Sequence, residues 1–222
     1  MKKIILILLI TFSVKAQVVP FSFMLKKSDS EPTVLNYNWD TATPQDADWT
    51  FTNPEEAGGL SATSTNSTWS WDDGDTPSTN VGPTTGQGGD PDGYIYIENS
   101  SAEANEVYDM ELVQNIDASA YDIELIFYTN QRGNDNNVTC VIQTNENGAG
   151  WVDRGTTFGG ASDPDKVATS GTDVWVQRTV DLTGLISNAL TKIRFHLVNP
   201  ASGSIANCDY GLDTITITLT PK

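Results

Sequence analysis

From Thr214 to Thr220 the chain alternates without a break: Ile215, Ile217 and Leu219 stand between Thr214, Thr216, Thr218 and Thr220. Successive side chains of a β-strand point to opposite faces, so this segment carries its aliphatic groups on one face and its hydroxyls on the other. One face is built for burial and the other for water. Comparable runs occur at Tyr94–Ile97, Ile123–Tyr128, Val138–Ile142, Val174–Val180 and Ile193–Val198, each of ordinary strand length, and a further strand is expected around Trp69. Clusters of Gly, Asn and Asp such as 131–137 and 145–148 separate neighbouring runs, as hairpin connections do. The i, i+3, i+4, i+7 spacing of an amphipathic helix is absent apart from a weak trace over Leu182–Leu190. Many short strands joined by polar turns predict an all-β fold, a jelly-roll β-sandwich of two antiparallel sheets.

At the N-terminus, Lys2 and Lys3 precede an apolar run from Ile4 to Val14, and Val14-Lys15-Ala16 precedes Gln17. That is the layout of a secretory signal peptide over residues 1–16, and the chain is expected to be secreted or displayed at the cell surface. The apolar run is about 11 residues long against the roughly 20 that a spanning helix needs, so no membrane insertion is expected once the signal is removed. A retained N-terminal anchor is the alternative reading. Residues 17–35 read as a leader or edge strand, with Val18, Val19, Phe21, Phe23 and Met24 forming a short apolar patch. Residues 36–222 are then one sandwich domain, a normal size for a single β core. The polar stretch from Asn53 to Asp92 is long for a loop inside such a domain, which points to short strands within it and a role of its own.

The 222 residues include 12 Lys and Arg against 29 Asp and Glu, a formal net charge of −17, and three of the twelve cations leave with the signal. Such a surface repels a phosphate backbone, which excludes nucleic acid as a partner. Export also places the two cysteines, Cys140 and Cys208, in an oxidising compartment where their disulfide would persist. Closing so long a loop would stabilise the fold by roughly 4 kcal/mol in the chain-entropy model.

Catalytic constellations are lacking. His196, the single histidine, sits in the alternating run Ile193–Val198 on the face opposite Phe195 and Leu197, and reads as a strand residue rather than a member of a hydrolase triad. The segment Gly86-Gln87-Gly88-Gly89 has no lysine and no strand-to-helix context of a phosphate loop. With 29 acids, some pair will meet the spacing of a glycosidase by chance, and nothing singles one out. Six tryptophans in so polar a chain suggest sugar stacking, since an exposed indole offers a flat apolar face with a hydrogen-bonding edge. Trp39, Trp49, Trp71 and Trp175 are expected in the core. Trp69 and Trp151, beside Ser-, Gly- and Asn-rich stretches, are the surface candidates for ligand binding.

The stretch Trp69-Ser70-Trp71-Asp72-Asp73-Gly74-Asp75-Thr76-Pro77-Ser78, then Gly82-Pro83 and Gly93-Tyr94-Ile95-Tyr96-Ile97-Glu98, resembles the opening half of a MAM domain. Leu125-Ile126-Phe127-Tyr128 and Tyr210-Gly211-Leu212-Asp213-Thr214-Ile215 fall where that family places its central aromatic strand and its final Asp-containing strand. The early cysteine pair of the family has no counterpart here, so no disulfide pattern is carried over. The resemblance implies an extracellular jelly-roll domain of the adhesion type, similar in fold to carbohydrate-binding modules, though fold alone does not settle function. It also implies a structural Ca²⁺ where the first and last strands run together, at Asp40 and Asp213, with Asp72, Asp73 and Asp75 as further oxygen ligands. Solvated turn acids are the plainer account of the same residues. Together these features predict a non-catalytic recognition or adhesion module for glycan or an extracellular protein. A structural part in a surface or particle assembly is the second expectation, and a small glycan-active enzyme the third.

Overall fold

A computed structural model of the protein describes residues 31–40, 47–52, 68–78, 80–89, 92–99, 102–133, 138–166, 174–201 and 209–222. Residues 1–30, expected to hold the signal peptide and most of the leader, residues 53–67 of the long polar stretch, and Cys208 lie outside the described residues. Eleven strands run in chain order among them: β1 Thr33–Tyr37, β2 Trp49–Thr52, β3 Thr68–Asp72, β4 Tyr94–Glu98, β5 Val107–Leu112, β6 Tyr121–Asn130, β7 Thr139–Glu146, β8 Trp151–Gly159, β9 Trp175–Asp181, β10 Thr191–Val198 and β11 Tyr210–Pro221. One sheet has the order β3-β4-β11-β6-β9, with β1 pairing along the second half of β11; the other has the order β2-β5-β10-β7-β8. Every pairing is antiparallel. The two sheets stack as a jelly-roll sandwich, and the sequence expectation of fold holds.

Alternation along each strand builds the interior. Ile193, Phe195 and Leu197 of β10 are fully buried, as are Leu125 and Phe127 of β6 and Tyr108, Met110 and Leu112 of β5. Phe127 meets Phe195 edge to face with ring centroids 4.9 Å apart, which ties the middle strands of the two sheets together. At the other end of the core, Phe51 of β2 packs on Trp69 of β3 at 5.8 Å. The helical trace over 182–190 does not become a helix. Leu182 and Ile186 plug the core from a turn in which Gly184 takes a φ of 73°, a conformation that breaks helical continuation.

β11 changes phase in its middle. Tyr210 and Leu212 face the core, and so do Ile215 and Ile217, although strict alternation from Leu212 would bury Thr214 instead. A register shift against β6 between Asp213 and Thr216 absorbs the extra residue, and Thr214 adopts a φ of 46°, rare for a β-branched side chain. The bulge leaves Asp213 on the outer face of its sheet.

Part of the outer face of the six-stranded sheet, over β4 and the start of β11, is covered. Tyr94 and Tyr96 point away from the sandwich core, yet both are buried. Residues 73–89 cover them: the Tyr94 hydroxyl donates to the Gly74 carbonyl at 2.6 Å, and the Trp175 indole N–H donates to the Thr85 carbonyl at 2.9 Å. Gly93 sits where a Cβ would collide with the Trp39 carbonyl and the Trp71 ring, whose N–H donates to that same carbonyl at 2.6 Å. The described half of the long polar segment thus forms a third layer, with its place in the core taken by Trp69 and Trp71.

Candidate functional site

The outer face of the five-stranded sheet differs in kind, because the alternation that buries Phe195 must aim Lys192, Arg194 and His196 outward from the central strand β10. The neighbouring strands supply their partners. In register, Arg194 stands between Glu111 of β5 and Gln143 of β7, His196 stands beside Asp109, and Gln143 stands beside Asp153 of β8. Asn145 lies between Lys192 and Trp151.

These side chains form one connected network. Arg194 donates through Nη1 to Asp109 Oδ2 at 2.7 Å and through Nε to Gln143 Oε1 at 2.7 Å. Gln143 passes the chain on, donating from Nε2 to Asp153 Oδ1 at 2.7 Å. His196 Nδ1 lies 2.7 Å from the other carboxylate oxygen of Asp109, and Lys192 pairs with Glu111. The Arg194 guanidinium also stacks on the Trp151 ring, 4.1 Å from its centroid, a cation–π contact. Burial holds Arg194 below the ordinary guanidinium range, opposed by the carboxylates of Asp109, Glu111 and Asp153 around it. The face is therefore a fixed array of donors and acceptors around a half-buried indole.

Of the two tryptophans expected at the surface, Trp151 is on this face and Trp69 is not. Trp69 is fully buried between the sheets, because its strand β3 pairs with β4 in a register that sends both Trp69 and Trp71 inward. The Ser and Thr residues around it follow the opposite face. Trp39 and Trp49 are buried as expected, while Trp71 and Trp175 are partly exposed.

Asp40 lies near Asp213, at the other sheet. The Asp213 carboxylate is 1% exposed and accepts from Gln87 N at 2.7 Å and Thr214 N at 2.6 Å. Burial first, and the nearby Asp40 carboxylate in addition, push Asp213 up to about 6 against the opposing effect of the two backbone donors. Asp72 instead closes its own turn, accepting from the backbone N–H groups of Asp73 and Gly74 at 2.8 and 3.0 Å. Asp75 lines a separate hollow with Thr76, Ser78 and Arg132. Asp72, Asp73 and Asp75 do not complete a cluster with Asp40 and Asp213, and no group of three or more His, Cys, Asp or Glu side chains suited to a metal occurs among the described residues. Cys140 is a buried free thiol whose pKa burial pushes up to about 12, and it lies against Tyr210, two residues from Cys208.

A second carboxyl pair went unrecognised in the sequence. The pairing of Tyr210 with Ile97 brings Asp209 opposite Glu98, and both are buried beneath the 76–83 turn, where a Cβ on Gly82 would stand 2.8 Å from that of Asp209. Asp209 Oδ1 accepts from Asn99 N at 3.2 Å.

No protein-family model matches the chain, and no curated protein matches it. Solved structures do. The K1 cleaved adhesin domain of Lys-gingipain from Porphyromonas gingivalis W83 shares 15% identity over 83% of this chain and 97% of that one, with a TM-score of 0.52. The CBM22-1 xylan-binding domain from Paenibacillus barcinonensis Xyn10C covers 88% of this chain and 99% of its own at 12% identity and a TM-score of 0.48. A cyclase from Fischerella sp. covers 90% and 92% at 12% identity and 0.48. The likeness is one of fold: the chain is a jelly-roll β-sandwich like the gingipain adhesin domain.

Proposed function

We propose that this chain is an exported, non-catalytic module that recognises glycan, and that it does so with the outer face of the five-stranded sheet. One observation carries the reading: Arg194, Asp109, His196, Gln143 and Asp153 are locked into a single hydrogen-bonded array around Trp151, on a face that the 73–89 layer does not cover. A sugar ring needs an aromatic surface for its C–H face and fixed donors and acceptors for its hydroxyls, and a prearranged array loses little entropy on binding. The non-catalytic reading is supported by the burial of the paired carboxyls Glu98 and Asp209 under the turn that covers them. The sandwich shared with adhesin and xylan-binding domains agrees with it, and the MAM likeness rests on motif order.

Two finer parts belong to the same proposal. Asp40 and Asp213 would hold a Ca²⁺, whose remaining oxygens would have to come from backbone carbonyls, since the ion takes 6 to 8. The buried, reluctantly ionised Asp213 beside a second acid is what supports this. The ion would supply charge neutralisation that orders the ends of β1 and β11. Cys140 and Cys208 would form a disulfide after export, visible as a two-hydrogen mass deficit without reductant.

The test is retention of the mature protein on a panel of immobilised polysaccharides. Retention that Trp151→Ala abolishes supports the reading, and no retention on any polymer refutes it. A second reading, a component of a larger assembly, draws on the edge strand β1, where Val34 is 49% exposed. Stable oligomers in solution without polysaccharide retention would favour it.

A further inference from the structure

Beside Trp151, at the end of the same sheet, lies a hollow of about 390 Å³ lined by Asn115, Asn145, Asn147, Gly148, Leu190 and Lys192. Three segments form its walls: the β7–β8 hairpin, the turn leading into β10 and the turn after β5. Backbone bonds hold these walls together. Asn147 N donates to the Leu190 carbonyl at 2.9 Å, and Ile116 and Thr191 exchange N–H to carbonyl bonds at 2.8 and 3.1 Å. The hollow is thus preformed rather than closed by a moving loop. Two of its residues, Asn145 and Lys192, also belong to the face described above, since Asn145 pairs directly with Trp151.

Its chemistry is uniform. Three side-chain amides offer both donors and acceptors, which suits hydroxyl groups that are both at once. Leu190, 52% exposed, offers the one sizeable apolar surface. The only charge in the lining is Lys192, and that ammonium is already paired with Glu111. An acidic sugar would find no spare cation there, and the chain's net charge of −17 would repel it from a distance.

We infer that this hollow is a further subsite, continuous with the Trp151 face, that takes one more uncharged sugar residue of a polysaccharide lying across the sheet. The inference rests on the glycan reading above and adds where the chain runs and which class of sugar it carries. The polymer crosses β10 near Arg194, passes Trp151, and ends or continues over Leu190.

The test uses the mature protein and a series of two- to six-unit oligosaccharides cut from whichever polysaccharide retains it, with affinities measured by titration calorimetry. For the unaltered protein the affinity should rise about tenfold at the length that reaches the hollow, an increment of about 1.4 kcal/mol. In Asn115→Ala/Leu190→Ser that increment should vanish while shorter oligosaccharides bind unchanged. Neither substitution touches the Arg194 network, and thermal melting checks that the variant folds. Affinity should change less than about twofold between 50 and 500 mM NaCl, because no ion pair with the ligand forms. If Trp151→Ala abolishes binding but the double variant keeps the full length increment, the subsite is overturned and the glycan reading stands. Preferential, salt-sensitive binding of a carboxylated or sulfated polymer overturns the uncharged-sugar assignment. Failure of every polysaccharide to bind overturns both.

Discussion

Arg194 holds Trp151 by its ring face, with the guanidinium carbon 4.1 Å from the ring centroid, while the same guanidinium donates to Asp109 at 2.7 Å. One side chain therefore fixes the orientation of the indole and joins it to the central hydrogen-bonded row of the sheet. Arginine suits this task because its planar fork stacks and donates at once, and lysine cannot do both.

Replacing Arg194 by Lys should then weaken polysaccharide retention by about tenfold while leaving the charge unchanged, since both the stacking and the simultaneous donation to Asp109 and Gln143 are lost. Affinity electrophoresis in gels containing the retaining polymer measures this. Equal mobility shifts for Arg194→Lys and the unaltered protein would show that the contact has no part in recognition.

The two tryptophans first expected on the surface should separate cleanly in urea. Trp69→Ala removes a fully buried indole from between the sheets and should cost about 3 to 5 kcal/mol of stability. Trp151→Ala removes a half-buried ring with a cation–π partner and should cost about 1 kcal/mol while abolishing retention. A small stability cost for Trp69→Ala would contradict its placement.

Asp209 is held well above the ordinary carboxylate range, first by burial and then by the neighbouring Glu98. Below pH 4 the group is protonated whether the chain is folded or not, so it imposes no penalty. As pH rises, the unfolded chain ionises freely and the folded one resists, so the folded state loses stability from about pH 4 up to the raised value. Asp209→Asn keeps the acceptor for Asn99 N and removes the titration. The melting temperature of this variant should therefore exceed that of the parent by a margin that is smallest at pH 4 and grows toward pH 8. A constant margin would show that Asp209 does not titrate abnormally.

Chelation tests the proposed Ca²⁺. EDTA should lower the melting temperature and excess Ca²⁺ should restore it, through mass-action stabilisation of the folded state. Asp213→Asn should lose that response. A melting curve indifferent to EDTA removes the ion from the account.

Much of the architecture was legible along the chain. The alternation at Ile193–Val198 gives both the buried Phe195 and the outward Arg194 and His196, and the run at 214–220 gives β11 its core face. β5 obeys the same rule, Tyr108, Met110 and Leu112 alternating with Asp109 and Glu111, although it is not among the strands expected from sequence. The bulge at Asp213 and Thr214 was not, since it arises from how β11 must serve β4, β1 and β6 along its length.

Local pattern alone thus determined β3, β4, β6, β7, β9, β10 and β11, the sandwich class and the polar character of alternate positions, because the direction of a side chain from a strand depends only on its own backbone. The candidate binding face was decided by tertiary structure. Asp109 reaches Arg194 across 85 positions of chain and Asp153 reaches Gln143 across a hairpin, and Trp69 was taken inward by its pairing with β4. Which strands lie side by side is settled by the packing of the whole core, and no segment carries that information by itself.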